Sequence, residues 1–362
     1  MYIFLKHNNE KKIKGILIIT HKETVNKNLF IYFKLIHEYY YILVHNGSVN
    51  KPRVLPYITC NLTTQENCIN NRCIPYTSRN FLDNIFNNTT DSLIYKKFQS
   101  ILEKYNLIYD IEYNNKIFDF ICVNRSSPIK LTFELLEYII ELLKGTDKTC
   151  CFIIIEDDIT NPYYLKIMKL YNNNKMDRLL FINGYNLNKI KGSIWTGLSR
   201  EDLSILYKLS KVYMHCCENE GESRTIHEAI ACGCMVLAKD NMKGGGLDYL
   251  NRNNALLYNN KNYFKKMLEI LYNYNNYIYD NELFKKLNIT YSLQYFKQIL
   301  YNNLYINTEL SYDEFDNSCN IDNMMDKLPA HDISEPWYLP DMCTADIKYD
   351  SQIRILNNIL FK

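Results

Sequence analysis

The sequence predicts an α/β protein with a doubly wound parallel sheet, and two observations predict it. Across residues 118–275, short apolar runs alternate with segments of helical spacing, the pattern of strands covered by helices on both faces. Near the N-terminus, one strand, helix, strand unit of the same kind runs from Gly15 to the Asn46-Gly47 turn. The expected division is a reduced N-terminal domain over 1–117, a regular domain over 118–282, and a C-terminal helix and tail over 283–362.

Gly15 to Thr20 reads as the first strand, about Asn26 to Tyr39 as a helix and Tyr41 to His45 as a second strand. Residues 50–90, rich in Asn, Thr, Cys and Pro, show little period, with one further strand at Val54 to Thr59; Ser92 to Tyr105 reads as helix. The regular part opens with the run Phe118 to Val123 and a helix from Leu131 to Lys144, with Gly145 placed as a left-handed stop. Strand, helix and strand follow at Cys150–Ile155, Tyr163–Leu170 and Arg178–Ile182. Ser199-Arg200-Glu201-Asp202 opens the next helix, with a capping hydroxyl and a carboxylate three residues on. The run Val212 to Cys217 breaks at Glu218-Asn219-Glu220-Gly221, a helix runs from about Arg224 to Gly233, and Cys234 to Ala238 is another strand. Gly244-Gly245-Gly246 reads as a flexible turn, residues 283–304 as helix, Asn307 to Tyr349 as an extended tail, and Ser351 to Phe361 as a last short helix.

The 362 residues carry 42 basic and 40 acidic side chains, a net charge of +2, so no surplus field gathers polyphosphate and nucleic acid is not an expected partner. No apolar stretch approaches the roughly 18 residues of a spanning helix, so no transmembrane segment is expected. The 12 cysteines fall mostly on apolar runs, as small buried hydrophobes in a reducing cytosol do. The expected location is cytoplasmic, with peripheral membrane association compatible with the Tyr- and Lys-rich N-terminal helices. The excess of Asn, Ile, Lys and Tyr reads as the drift of an AT-rich genome, in a cellular host or a virus.

Chemistry concentrates between Gly197 and Tyr258. Glu220 and Glu228 sit eight apart, across a loop and a helix start, at the carboxyl ends of the strands, where open α/β sheets bind ligands. The amides around Ser223, Arg224 and Thr225 are expected to face the crevice, and a helix N-terminus attracts phosphate. Glu220 in the loop would face a substrate; Glu228, a turn into the helix, would accept hydrogen bonds from ribose hydroxyls.

Glu220 to Val236 resembles the E-G-x-G-x-x-x-x-E-A-x-A-x-G-x-P-V pattern of the donor-binding half of GT-B glycosyltransferases, specifically the retaining family 4, with Ser223 at the second glycine and Met235 at the proline. Three further matches follow the family's order. Val123-Asn124-Arg125 with Lys130 is similar to its G-R-x-x-x-x-K, with Asn124 at the glycine. Ile194-Trp195-Thr196-Gly197 resembles the segment passing the nucleotide base, and Gly244-Gly245-Gly246-Leu247-Asp248 resembles G-G-x-x-E. Together they span about 118–258.

The resemblance implies a GT-B fold, two Rossmann-like domains facing a cleft, and transfer of a sugar from a nucleoside diphosphate sugar to an acceptor hydroxyl of a glycan, protein or lipid, with retention. Arg125, Lys130 and the helix N-terminus would stabilise the leaving diphosphate without a cofactor or an obligatory metal. Glu220 would orient the transferred sugar; Gly197, Gly221, Ser223, Arg224, Thr225 and Glu228 complete the implied donor site. The family also uses a histidine from its first half, a role open to His21 or His45. Two alternatives stand beside this: a GT-A-like enzyme holding a divalent metal on Asp157 and Asp158 after the strand at Cys150–Ile155, and a non-catalytic nucleotide-sugar or glycan-binding module.

Overall fold

A computed structural model of the chain describes residues 2–20, 29–45, 56–63, 73–75, 82, 84–90, 92–110, 116–156, 158–184 and 198–319. The chain forms two compact units, residues 1–81 with 289–362 and residues 82–288.

In the first unit β1 (Tyr2–Leu5), β2 (Gly15–Thr20), β3 (Tyr40–His45), β4 (Cys60–Thr63) and β5 (Cys73–Pro75) form a five-stranded sheet in sequential order. All neighbours are parallel except β1 and β2. The two-residue alternation of a strand divides its side chains between two cores. Leu17, Ile19, Ile42 and Val44 pack with Phe33 and Ile36 of α1 (Leu29–Ile36). Ile16, Ile18 and Leu43 share the other core with Phe296 and Leu300 of α9 (Ile289–Leu304) and Phe315 of α10 (Tyr312–Ser318). The C-terminal helices therefore complete the N-terminal sheet.

Three features of this unit depart from expectation. Strand β1 precedes the first expected strand, and the third parallel strand lies at Cys60–Thr63 instead of Val54–Thr59. Helix α10 falls inside the expected tail, where Ser311 and Glu314 form a reciprocal capping box: the Glu314 amide donates to Ser311 Oγ at 3.3 Å, and the Ser311 amide donates to Glu314 Oε2 at 3.2 Å. The rest of the expected tail and the helix expected at Ser351 to Phe361 lie outside the described residues.

The second unit begins earlier and ends later than the expected 118–282. Helix α2 (Ile94–Lys104) belongs to it because Ile94, Phe98 and Ile101 pack into the core of Phe118 and Ile121. Its main sheet contains β6 (Phe118–Arg125), β7 (Cys150–Ile155), β8 (Leu179–Asn183), β9 (Ser210–His215), β11 (Met235–Lys239) and β13 (Ala255–Tyr258), all parallel, in the order β13-β11-β9-β6-β7-β8. Chain order runs outward from β6 in one direction and from β9 in the other. The doubly wound switch point therefore lies between β6 and β9.

Both faces of this sheet are covered. Phe120 and Cys122 meet α3 (Thr132–Gly145), α4 (Pro162–Asn173) and α7 (Tyr263–Tyr274), while Ile121 and Val123 meet α2, α5 (Arg200–Lys208) and α6 (Arg224–Ala231). Ser199 caps α5 as expected, accepting from the Asp202 amide at 3.1 Å. Helix α3 does not end in a left-handed glycine: Gly145 is its last residue, and extended Thr146 closes it. The helical stretch expected over 283–304 is two helices, α8 (Asn281–Leu287), capped by Asp280, and α9.

Gly244-Gly245-Gly246 is not a free turn. Lys243–Gly245 forms β12, paired in parallel with β10 (Asn219–Glu222). Gly244 sits at φ +107°, and a Cβ there would lie 1.6 Å from the Glu220 carbonyl oxygen. Only glycine allows this approach. The position of Glu220 thus depends on a glycine 24 residues later in the chain (244 − 220).

Candidate functional site

The site begins where two strands part. Pairing between β6 and β9 reaches Ile121↔Tyr213. Beyond that point β6 continues to Arg125 against β7, and β9 continues to His215 against β11. The segments after β6 and β9 thus leave their strand pairing at the switch point, the place where open α/β sheets form a ligand crevice.

From the β6 side come Arg125, the exposed last residue of the strand, and Lys130 at the end of a short 3-10 turn, Pro128–Lys130. From the β9 side comes Glu220, whose side chain is 7% exposed. Lys130 Nζ and Glu220 Oε1 form a hydrogen-bonded ion pair across the crevice. The two motifs matched separately in the sequence therefore meet in space.

Ser223 precedes α6 as its N-cap, without a side-chain cap bond, and Arg224 and Thr225 open the helix half-buried. The Ser223 amide donates to Gly245 O at 3.1 Å, so it does not face the crevice as expected: strand β12 has taken it. Ser223 stands where the resembled pattern has glycine, and the structure accommodates it by placing Gly246 opposite; a Cβ at Gly246 would meet Ser223 Cβ at 3.2 Å. Glu228 is buried at 5% exposure on α6. Met235, in place of proline, is a regular β11 residue paired with Val212. Gly221 lies in β10 beside Glu220. Gly197 and His21 lie outside the described residues, and His45 ends β3 in the other unit.

Tyr213, His215 and Cys217 enter the site without having been expected. The Tyr213 hydroxyl donates to Thr225 Oγ1 at 2.8 Å and lies 3.0 Å from His215 Nδ1, while Thr225 Oγ1 lies 3.2 Å from Ser223 Oγ. Burial pushes the His215 pKa down to about 4; the Glu220 carboxylate opposes this, and Lys130 adds to it. His215 is therefore neutral at physiological pH. Burial pushes the Cys217 thiol up to about 11, and the thiol donates toward Asn219 O at 3.0 Å. The available signal was a histidine ending an apolar run five residues before Glu220 (220 − 215).

Three buried polar atoms near the end of β6 and at the end of β9 have no hydrogen-bond partner among the described residues: Asn124 Nδ2, Ser126 Oγ and His215 Nε2. Buried polar groups are normally satisfied. Orphans gathered at the mouth of a sheet fit a polar ligand that supplies the missing bonds. Of the expected charged site residues, the structure joins Lys130 to Glu220; Arg125 ends β6 exposed and Glu228 is buried on α6.

The acidic cluster after β7 has a different role. Glu156 is buried and accepts from the Asp158 amide at 2.8 Å and from Asn161 Nδ2 at 3.0 Å. Exposed Asp158 accepts from the Thr160 amide at 2.8 Å and hydroxyl at 2.7 Å, bonds that hold its carboxyl below the usual range. Both shape the turn into α4; Asp157 lies outside the described residues.

Comparison with known proteins agrees with this architecture. Residues 119–271 match the family model described as glycosyl transferases group 1. No match was found among curated proteins. Among solved structures, the chain is similar to Anabaena Alr3699/HepE in complex with UDP, at 14% identity and a TM-score of 0.51, over 78% of each chain. It is also similar to an α,α-trehalose-phosphate synthase (UDP-forming) from Burkholderia xenovorans, at 10% identity and a TM-score of 0.50, over 79% of this chain and 73% of that one. The Candida albicans trehalose-6-phosphate phosphatase N-terminal domain aligns at 10% identity and a TM-score of 0.50, over 81% and 72%. At such identities the likeness is one of fold, the GT-B fold, which leaves the GT-A reading of Asp157 and Asp158 without support. The chain is an α/β protein of the GT-B fold whose residues 119–271 match the family model of the glycosyl transferases group 1.

Proposed function

We propose that this protein transfers a sugar from a nucleoside diphosphate sugar to an acceptor hydroxyl, with retention of anomeric configuration as in family 4 and without an obligatory metal. One observation carries the reading: Lys130 and Glu220 meet across the opening between β6 and β9. A diphosphate entering this opening would take Lys130 and Arg125 as counter-ions, charge-assisted bonds roughly twice as strong as neutral ones. Release of Lys130 frees the Glu220 carboxylate to accept from hydroxyls of the transferred sugar. Glu228, on the helix behind, accepts from the ribose. Gly197, Gly221, Ser223, Arg224 and Thr225 complete the proposed donor site.

As the glycosidic bond breaks, negative charge grows on the diphosphate, and in this proposal the two cations and the start of α6 stabilise it. A histidine of the first unit, His21 or His45, is proposed to act beside the acceptor, which is a glycan, protein or lipid hydroxyl. A cytoplasmic site of action suits reduced cysteines; nine of the described cysteines are buried thiols. No described helix is long and apolar enough to cross a membrane.

The test is release of nucleoside diphosphate from UDP-, GDP- and ADP-sugars in EDTA, with the anomer of the product read by proton NMR. Turnover in EDTA with retention supports the proposal. Turnover that requires added Mg²⁺ or Mn²⁺, or inversion at the anomeric carbon, contradicts it.

A further inference from the structure

The end of β9 and the start of β10 bring together His215, Cys217 and Glu220, all buried, with one ligand-capable atom of each within 4.8 Å of the others. The hydrogen bonds behind them suit one histidine tautomer. Tyr213 has one proton and donates it to Thr225 Oγ1, so its oxygen accepts from His215 Nδ1–H. Nε2 is then the lone-pair nitrogen, 1% exposed, without a hydrogen-bond partner among the described residues, and 3.7 Å from Glu220 Oε1. A buried lone pair facing a carboxylate oxygen is an arrangement that a cation stabilises. Lys130 brings an ammonium to Glu220, yet Nε2 remains unsatisfied. Cys217 Sγ supplies a third ligand of the soft type.

We propose that His215 Nε2, Cys217 Sγ and a Glu220 carboxylate oxygen form a site for a thiophilic divalent cation of the Zn²⁺ class, whose occupation displaces Lys130 from Glu220 and blocks the donor crevice. One imidazole, one thiolate and one carboxylate suit Zn²⁺, whose bonds of roughly 2.0–2.3 Å require the three ligands to close around it, leaving a fourth position for water. Binding converts Cys–SH and Zn²⁺ into a Cys–S–Zn unit and one released proton. The hard cations Mg²⁺ and Ca²⁺ prefer oxygen ligands and are not expected to bind here. The block of the donor rests on the function proposed above; the metal site itself does not.

The experiment is titration of the full chain with Co²⁺, followed by competition with Zn²⁺, reading the thiolate-to-cobalt absorption in the near ultraviolet. One equivalent should bind with that band and be displaced by Zn²⁺. The band should vanish in Cys217→Ser, and affinity should fall at least tenfold in His215→Gln and rise in Lys130→Met, which removes the competing ammonium; far-UV circular dichroism confirms that each variant folds. No stoichiometric band in the parent chain, or an undiminished band in folded Cys217→Ser, overturns the inference. Isothermal titration with nucleoside diphosphates in EDTA reads the donor site separately, so loss of one result leaves the other standing. If both sites exist, Zn²⁺ at one equivalent should weaken nucleotide binding at least tenfold.

Discussion

Lys130 and Glu220, 90 residues apart in the chain, close an ion pair between the turn after β6 and strand β10. The Glu220 side chain is 7% exposed and that of Lys130 27%. Removing one partner of such a pair leaves a poorly solvated charge alone. Lys130→Met should therefore destabilise the protein by about 2 kcal/mol, less than a fully buried pair because the lysine is partly solvated. The double variant Lys130→Met, Glu220→Gln should recover most of that loss. Urea denaturation of the parent chain, both single variants and the double variant measures the coupling.

The backbone of Glu220 is held by Gly244. A methyl group there would overlap the Glu220 carbonyl, and the φ of +107° is itself unfavourable for alanine. Gly244→Ala should cost about 2–4 kcal/mol and weaken nucleotide binding, since Glu220 must move. Gly145→Ala is the control. Its added methyl would meet the Phe264 ring at ordinary contact distance, Cζ at 3.5 Å and Cε2 at 3.9 Å, and the residue is helical. It should change stability by less than about 1 kcal/mol and leave binding intact. Thermal denaturation with and without nucleotide distinguishes the two.

Helix α5 is tied to α2 through Asp202, which receives Lys104 Nζ at 2.5 Å and the Tyr105 hydroxyl. Burial pushes its carboxyl up, but the bonds from Lys104, Tyr105 and Ser199 outweigh this and hold it below the usual 3.8. A carboxyl with a lowered folded-state pKa stabilises above its unfolded value, and that contribution is lost as pH falls through the folded value. The parent chain should therefore lose stability from about pH 4 downward more steeply than Asp202→Asn, which should be about 1 kcal/mol less stable at pH 7. Urea midpoints at pH 7, 5, 4 and 3 check both statements.

The regular alternation between Phe118 and Tyr258 made the second sheet legible, because fully buried parallel strands leave unbroken apolar runs. Four short patterns pointed to the crevice, and the structure joins two of them at Lys130 and Glu220. What escaped was non-local. Gly244 looked like loop punctuation because its constraint comes from a carbonyl on another strand. His215 and Cys217 looked like core residues because nothing local marks a strand end that parts from its neighbour. Helix α2 packs into the second unit, but it is an ordinary amphipathic helix, and no local signal says which sheet it covers. Helix α10 is a different case: its Ser311-x-x-Glu314 box is present in the sequence, among the Asp and Asn residues of a stretch that otherwise reads as tail.

The central claim is that the crevice between β6 and β9 binds the nucleoside diphosphate of a sugar donor. Isothermal titration of the chain with UDP, GDP and ADP in EDTA tests it most directly, repeated on Lys130→Met, Arg125→Ala and Glu228→Gln. One nucleotide should bind at one equivalent, with affinity at least tenfold weaker in each variant. Absence of binding by all three nucleotides at millimolar concentration, or binding unchanged in the variants, would contradict it.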